Sequence, residues 1–287
     1  MSKIKRTMHK GHKKIQARFS TVIYTLFGAF IVPRGGRVHV ASLIRLVVPL
    51  GFSPNAIRLG LSRMARHGVF DIRKSGRRSY YSLNTKGLKW MEQGRVRAFE
   101  VERKRWDGKW RLLVYSIPET MRQLRDKLRY KLQGMGYANL SASFWISPHK
   151  LQAALLKYLE QTKMVDCVET FTADYTGQRS KKELAAAIWN VAELSDRYGN
   201  FHKKYGKLLS SYEKLAKTGR SMDSAECFAR RFCMTAEYVA LRLEDPMLPP
   251  ELLPVDWVGL RAEKIYNRLL KLLKPRADAF VDSVLRE

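Results

Sequence analysis

Apolar residues recur at helical spacing along Phe19–Val32, where Val22, Ile23, Leu26, Phe27 and Phe30 share one face, and Pro33-Arg34-Gly35-Gly36 closes the run. Val38–Val40 is short enough for one small strand, and Ala41–Leu50 reads as a second helix with Leu43, Ile44 and Val47 inward. Ser53 then offers an N-cap and Pro54 suits the first helical position, where its missing N–H costs nothing, so a helix is predicted over Pro54–His67. Wound at about 100° per residue, it puts Ile57, Gly60, Leu61 and Met64 on one face. Asn55, Arg58, Leu59, Ser62 and Arg66 fall on the opposite arc, with Arg63 at its margin. Val69–Lys74 and Arg77–Leu83 read as two strands joined across Ser75-Gly76, a hairpin turn signal. Thr85–Glu102 continues as a helix that either links, dimerises or merely connects, with Leu88, Met91, Val96 and Phe99 at near-helical spacing.

Further along, Trp106–Trp110 reads as a turn and Arg111–Ile117 as a compact strand. An amphipathic helix over Pro118–Gln133, a strand over Ser141–Ser147, a helix over Pro148–Gln161 and a strand over Met164–Thr172 follow, with one inner strand indistinct. That order suggests a ferredoxin-like α+β sandwich. From Lys181 the pattern is helical, interrupted by the Pro-rich Asp245–Pro254. The expectation is an α+β multidomain chain. It comprises a basic arm (1–18), a winged helix-turn-helix (19–84), a linker helix (85–105), a ferredoxin-like central domain (106–180) and a helical C-terminal domain (181–287).

Charge sharpens this outline. The first ninety residues carry nineteen Lys and Arg against one acid, Asp71, whereas the remaining 197 hold 35 basic and 25 acidic residues. So positive a folded surface repels itself unless a polyanion neutralises it, and phosphate backbones are the commonest such partner. Within 1–18, Lys3, Lys5, Arg6, Lys10, Lys13, Lys14 and Arg18 make either a solvated arm or one that settles along a DNA backbone. On the capped helix, Arg suits guanine and Asn suits adenine in the major groove. The hairpin tip adds Arg73, Lys74, Arg77 and Arg78, followed by Tyr80. Helix, helix, capped helix and basic hairpin is the order of a winged helix-turn-helix, which lays the capped helix in the major groove and the hairpin on flanking phosphates or the minor groove. The simpler alternative for the arc is an ordinary solvated basic face.

Other functions find little support. The six histidines lack ligand-like spacing, and no Walker loop, G-x-S-x-G or G-x-G-x-x-G motif occurs, so no enzyme, metal site or cofactor is expected. Cys167, Cys227 and Cys233 match no metal spacing and are expected to be reduced thiols of a cytoplasmic chain. The longest apolar run, Thr21–Val32, is too short to span a bilayer, and Met1–Arg18 lacks the apolar core of a signal peptide. No membrane partner is expected.

Several stretches carry a family resemblance. Pro54–Met64, Gly68 and Gly76–Leu83 resemble the PaaX family, repressors of bacterial phenylacetic acid degradation. So do Trp106–Trp110 and the tail pattern Asp245-Pro246, Leu248-Pro249, Glu251–Pro254, Asp256-Trp257 and Gly259. The resemblance runs from Phe19 to the C-terminus. It implies a homodimeric winged-helix repressor on double-stranded promoter DNA, released by an acyl-CoA effector such as phenylacetyl-CoA, whose contacting residues it does not name. It also implies a central domain similar to the small nuclease of CRISPR spacer acquisition, in which an Asp ends the first strand and serves the metal. The matching position here is Ser116, so nuclease chemistry loses its anchor. The alternatives are a metal-dependent nuclease or a nonspecific nucleic-acid-binding protein built on that central domain.

Overall fold

A computed structural model describes residues 19–218 and 222–286; the basic arm, 1–18, lies outside the described residues. The chain divides into two compact units. One is built from the chain up to Glu100 with Phe201–Arg242 and the chain from Arg261 onward, the other from Val101–Asn200 and Leu243–Leu260. The sequence-based boundaries cut the chain linearly, whereas the first unit is discontinuous.

The first unit opens with α1 (Phe19–Leu26), which runs on through a π-type turn and a 3-10 turn to Arg34, despite Pro33. β1 (Arg37–His39), α2 (Val40–Val47), α3 (Pro54–Arg66), the hairpin β2 (Phe70–Ser75) and β3 (Arg78–Leu83), and α4 (Thr85–Phe99) follow. The expected inner face of α1 is buried in full. On α2 the buried apolar residues are Leu43, Leu46 and Val47, with Ile44 only half-buried. Ser42 and Leu50 are buried as well, which centres the buried arc between Leu43 and Leu46 and leaves Ile44 at its edge. The small sheet runs β1-β3-β2, all antiparallel. Gly76 takes φ 57° at the first of two turn residues between Ser75 and Arg78, a position where side chains are strained and glycine is not. Asn84 caps α4 by accepting from the Gly87 amide at 3.0 Å. α4 ends at Phe99 rather than Glu102.

The later helices of this unit supply the rest of its core. They are α9 (Ser224–Glu244), the Phe201–Lys217 part of α8 (Val191–Lys217) and most of α10 (Val258–Arg286). Phe30 of the α1 run meets Phe228 edge-on at 5.0 Å, and Phe228 lies 5.3 Å from Phe280. Arg231, 5% exposed, donates to Asp278 at 2.7 Å and lies 4.4 Å from the Phe30 ring centre. Arg34 pairs with Asp278 at 3.2 Å and also with Asp282. Burial opposes charge on Asp278, but hydrogen bonds from Lys274, Arg231 and Arg34 outweigh it and hold the carboxyl below its ordinary range. Phe99 joins an aromatic stack with Tyr238 and Tyr266, whose own rings lie 4.3 Å apart.

The second unit holds a four-stranded antiparallel sheet, β4 (Trp110–Tyr115), β5 (Ala138–Ser141), β6 (Phe144–Ser147) and β7 (Val168–Ala173), in the order β5-β6-β4-β7. Helices α5 (Arg122–Gly134) and α6 (Ala153–Gln161) alternate with them and bury Leu128, Leu132, Leu155 and Leu159 against Leu113, Tyr115 and Trp145. The indistinct strand is β5. The single expected strand over Ser141–Ser147 is two strands meeting at a tight Ala142-Ser143 turn, hidden in the sequence because no glycine, proline or Asn-Gly pair marks it. Helix α7 (Lys181–Ile188) starts on a Ser180–Glu183 capping box. Asp245, fully buried, accepts from Arg103, from Tyr198 at 2.8 Å and from the Met247 amide at 2.7 Å, and so fixes the start of the Pro-rich segment.

Among the described residues no single helix is long and apolar enough to cross a membrane. The three cysteines are free thiols.

Candidate nucleic-acid interface

α3 owes its direction to its first turn. Ser53 accepts from the Ala56 amide at 3.2 Å and Pro54 occupies the first position, so the helix starts at a fixed point and its buried stripe sets its rotation. That stripe is Ile57, Gly60, Leu61 and Met64. Gly60 has no room for a side chain: a Cβ there would stand 2.2 Å from the Phe19 ring. α1 thus packs closely on α3 at Gly60, where a side chain would have to displace the Phe19 ring, and the other arc faces outward.

That arc carries Asn55, Arg58, Leu59, Ser62, Arg63 and Arg66, all exposed. Arg58 donates to the Asn55 side-chain oxygen at 3.5 Å, one turn apart on the same face. Leu59, 61% exposed on the same arc, could contact a thymine methyl in the major groove. No ion pair engages Arg58, Arg63 or Arg66 among the described residues, so the guanidinium donors face solvent.

The hairpin brings the second set together. Arg73, Lys74, Arg77 and Arg78 are exposed around its tip, where Ser75 faces Arg78 across the turn. Tyr80 differs from the others: it is half-buried on the central strand, opposite Arg73 on β2 and His39 on β1, with the His39 ring 5.3 Å away. Its ring acts as a platform. The Arg37 guanidinium lies 5.5 Å from the ring centre, which holds another exposed cation beside the hairpin. Arg37 escaped the sequence reading because only the β1–β3 pairing, a contact between distant positions, brings it here. Lys86 was missed too: it donates to the His67 carbonyl at 3.0 Å, at the end of α3, and lies 4.9 Å from the Trp90 ring centre. Asp71, exposed on β2, is the sole acid of the first ninety residues. An exposed cationic arc, a cationic hairpin and so few acids make a surface suited to gripping a phosphate backbone while presenting base-reading side chains.

In the second unit Ser116 follows β4 directly, and its amide donates to the Cys167 carbonyl at 2.9 Å. Among the described residues, no group of three or more His, Cys, Asp or Glu side chains could hold a metal ion.

Three family models match the chain in succession: the PaaX-like protein model over residues 18–87, the PaaX protein central Cas2-like domain over 103–185, and the PaaX-like protein C-terminal domain over 189–283. The chain belongs to the PaaX family. A curated relative, the transcriptional repressor PaaX of Escherichia coli (strain K12), is 28% identical over 284 residues, covering 98% of this chain and 88% of that protein. Among solved structures, the uncharacterized protein Rv0674 from Mycobacterium tuberculosis has a similar fold. Its TM-score is 0.54 at 23% identity, over 91% of this chain and 97% of that one. The exposed arc of α3 and the basic hairpin both fall within the first matched segment, and Ser116 within the Cas2-like one.

Proposed function

We propose that this PaaX-family chain is a transcriptional repressor that binds double-stranded promoter DNA through a winged helix-turn-helix. In this reading α3 enters the major groove, Asn55, Arg58, Leu59, Ser62, Arg63 and Arg66 face it, and the hairpin residues Arg73, Lys74, Arg77 and Arg78 lie against flanking backbone. Tyr80 supports that wing. The observation that carries the reading is the exposed arc of a capped helix, cationic and free of acids, followed at once by a cationic hairpin. The E. coli relative is named a transcriptional repressor, which agrees with it. A homodimer on an inverted repeat follows, since such modules usually bind two half-sites related by the protein's own symmetry.

Gel shifts with a promoter duplex and a random duplex test the base-reading role. Arg58→Ala and Arg66→Ala should each weaken specific binding by about 1–3 kcal/mol and leave random-duplex binding much less affected. Equal loss on both duplexes would remove Arg58 from base recognition.

The reading extends to a phenylacetate catabolic operon and to release by an aryl-acyl-CoA, phenylacetyl-CoA first. What supports this is the family membership and a body beyond the hairpin far larger than DNA binding alone requires. An effector must bind the DNA-free state more tightly, because a ligand indifferent to the two states shifts nothing. Operator DNA must then weaken thioester binding by the same factor. Titration calorimetry with and without operator should show that reciprocal loss, with no response to free phenylacetate. Tight thioester binding that operator leaves unchanged would rule this effector out.

A further inference from the structure

We propose that the concavity at the C-terminal end of β4 binds a small ligand through a phosphoryl group, a pyrophosphate or phosphate ester carried on an organic body. The hollow is shallow and open to solvent, has a volume of about 510 Å³ and is lined by Ser116, Ser143, Arg125 and Arg129, with Tyr115 and Ile117 forming its apolar part. That volume suits a small molecule.

The chemistry of the wall selects an anion. Arg125 and Arg129 stand one turn apart on α5 and reach the same hollow. No carboxylate lines it. Arg129 forms no ion pair among the described residues. Arg125 donates to Glu119 at 2.9 Å through one nitrogen of its guanidinium, which leaves further donors of the fork for a ligand. The Ser116 amide and the Tyr115 hydroxyl are already engaged, with the Cys167 carbonyl at 2.9 Å and the Ala142 carbonyl at 3.1 Å. Those bonds hold the strand end and the β5–β6 turn in place, so the serine hydroxyls and the guanidinium groups are what remain to meet a ligand. Two guanidinium groups and two hydroxyls can surround phosphoryl oxygens, and the buried Tyr115 and Ile117 add apolar contact that bare phosphate cannot use.

Calorimetry of the full chain with inorganic pyrophosphate and with ADP tests this. Both should bind at one site per chain, ADP the more tightly. Arg129→Ala should weaken both by about tenfold or more, since it removes charge-assisted hydrogen bonds. Ser116→Asp, at an exposed position where misfolding is not expected, should do the same by placing a carboxylate against the phosphate; a circular dichroism melt on each variant confirms folding. Arg58→Ala should leave ADP binding unchanged, which separates this site from the DNA reading. Absence of binding by both probes, or binding that Arg129→Ala and Ser116→Asp leave intact, would overturn the proposal. So would a result in which these variants weaken random-duplex binding but not ADP binding, which would make the hollow part of a nucleic-acid surface.

Discussion

Raising salt from about 50 to 200 mM should weaken binding to a promoter duplex by roughly a thousandfold or more. The expectation follows from how many exposed cations the first unit gathers: Arg58, Arg63 and Arg66 on α3, Arg73, Lys74, Arg77 and Arg78 on the hairpin, and Arg37 and Lys86 beside them. About six of these seated on phosphates is enough for that loss, because each contact releases condensed counterions whose return is favoured at high salt. Replacing Arg77 and Arg78 together by Ala should flatten the log–log slope by about 2 and weaken promoter and random duplexes alike. Arg58→Ala should instead act mainly on the promoter duplex. Fluorescence anisotropy across a salt series, run on both duplexes, measures all of this. A slope that the hairpin variants leave unchanged would take the hairpin off the DNA.

The part of this surface that is legible in the sequence is the part set by local rules. A cap at Ser53, a proline after it and apolar positions at i, i+3, i+4 fix both the start and the rotation of α3, so its outward arc can be read from residue numbers alone. The hairpin is equally local, because Ser75-Gly76 is a turn signal between two runs that alternate. Arg37 is not legible in this way. It reaches the hairpin through a strand pairing that spans about forty residues of chain, and no local pattern specifies a partner at that distance.

Packing between distant segments hides the remainder for the same reason. Phe30 and Arg34 read as the end of the first helical run of a domain spanning 19–84, yet Phe30 packs on Phe228, about two hundred residues on, and Arg34 pairs with Asp278 and Asp282, nearly two hundred and fifty residues on. The segment carrying the exposed cationic surface thus shares a core with α9 and α10, which boundaries drawn along the chain do not show. The charged groups in that core give it a definite geometry. Arg231 is nearly fully buried and has one carboxylate, Asp278, within hydrogen-bond reach, and Arg34 and Lys274 converge on the same carboxylate. A change in how α10 lies against α1 would have to re-pair these charges, a cost that favours discrete arrangements over gradual ones.

Asp245→Ala should cost about 3–5 kcal/mol of stability, the largest effect expected of a single substitution in the second unit. The carboxylate has no exposed surface and accepts from Arg103, Tyr198 and the Met247 amide, so its removal leaves a mostly buried guanidinium without its counter-charge. Arg103 retains the Leu248 carbonyl at 2.8 Å and the Trp257 ring at 5.3 Å, but neither neutralises it. The Pro-rich segment would loosen at its start as well, because Met247 holds φ 57°, a strained value for a non-glycine residue, while its amide is bound by Asp245. The asymmetry between breaking a buried pair and replacing it gives the decisive control. Asp245→Leu combined with Arg103→Met removes both charges and fills much of their volume, so it should recover a large part of what Asp245→Ala loses. Thermal melts of the full chain measure both, with a midpoint lowered by on the order of 10 °C for Asp245→Ala. A double variant as damaged as the single one would mean that the backbone anchor at Met247, and not the ion pair, is what Asp245 supplies.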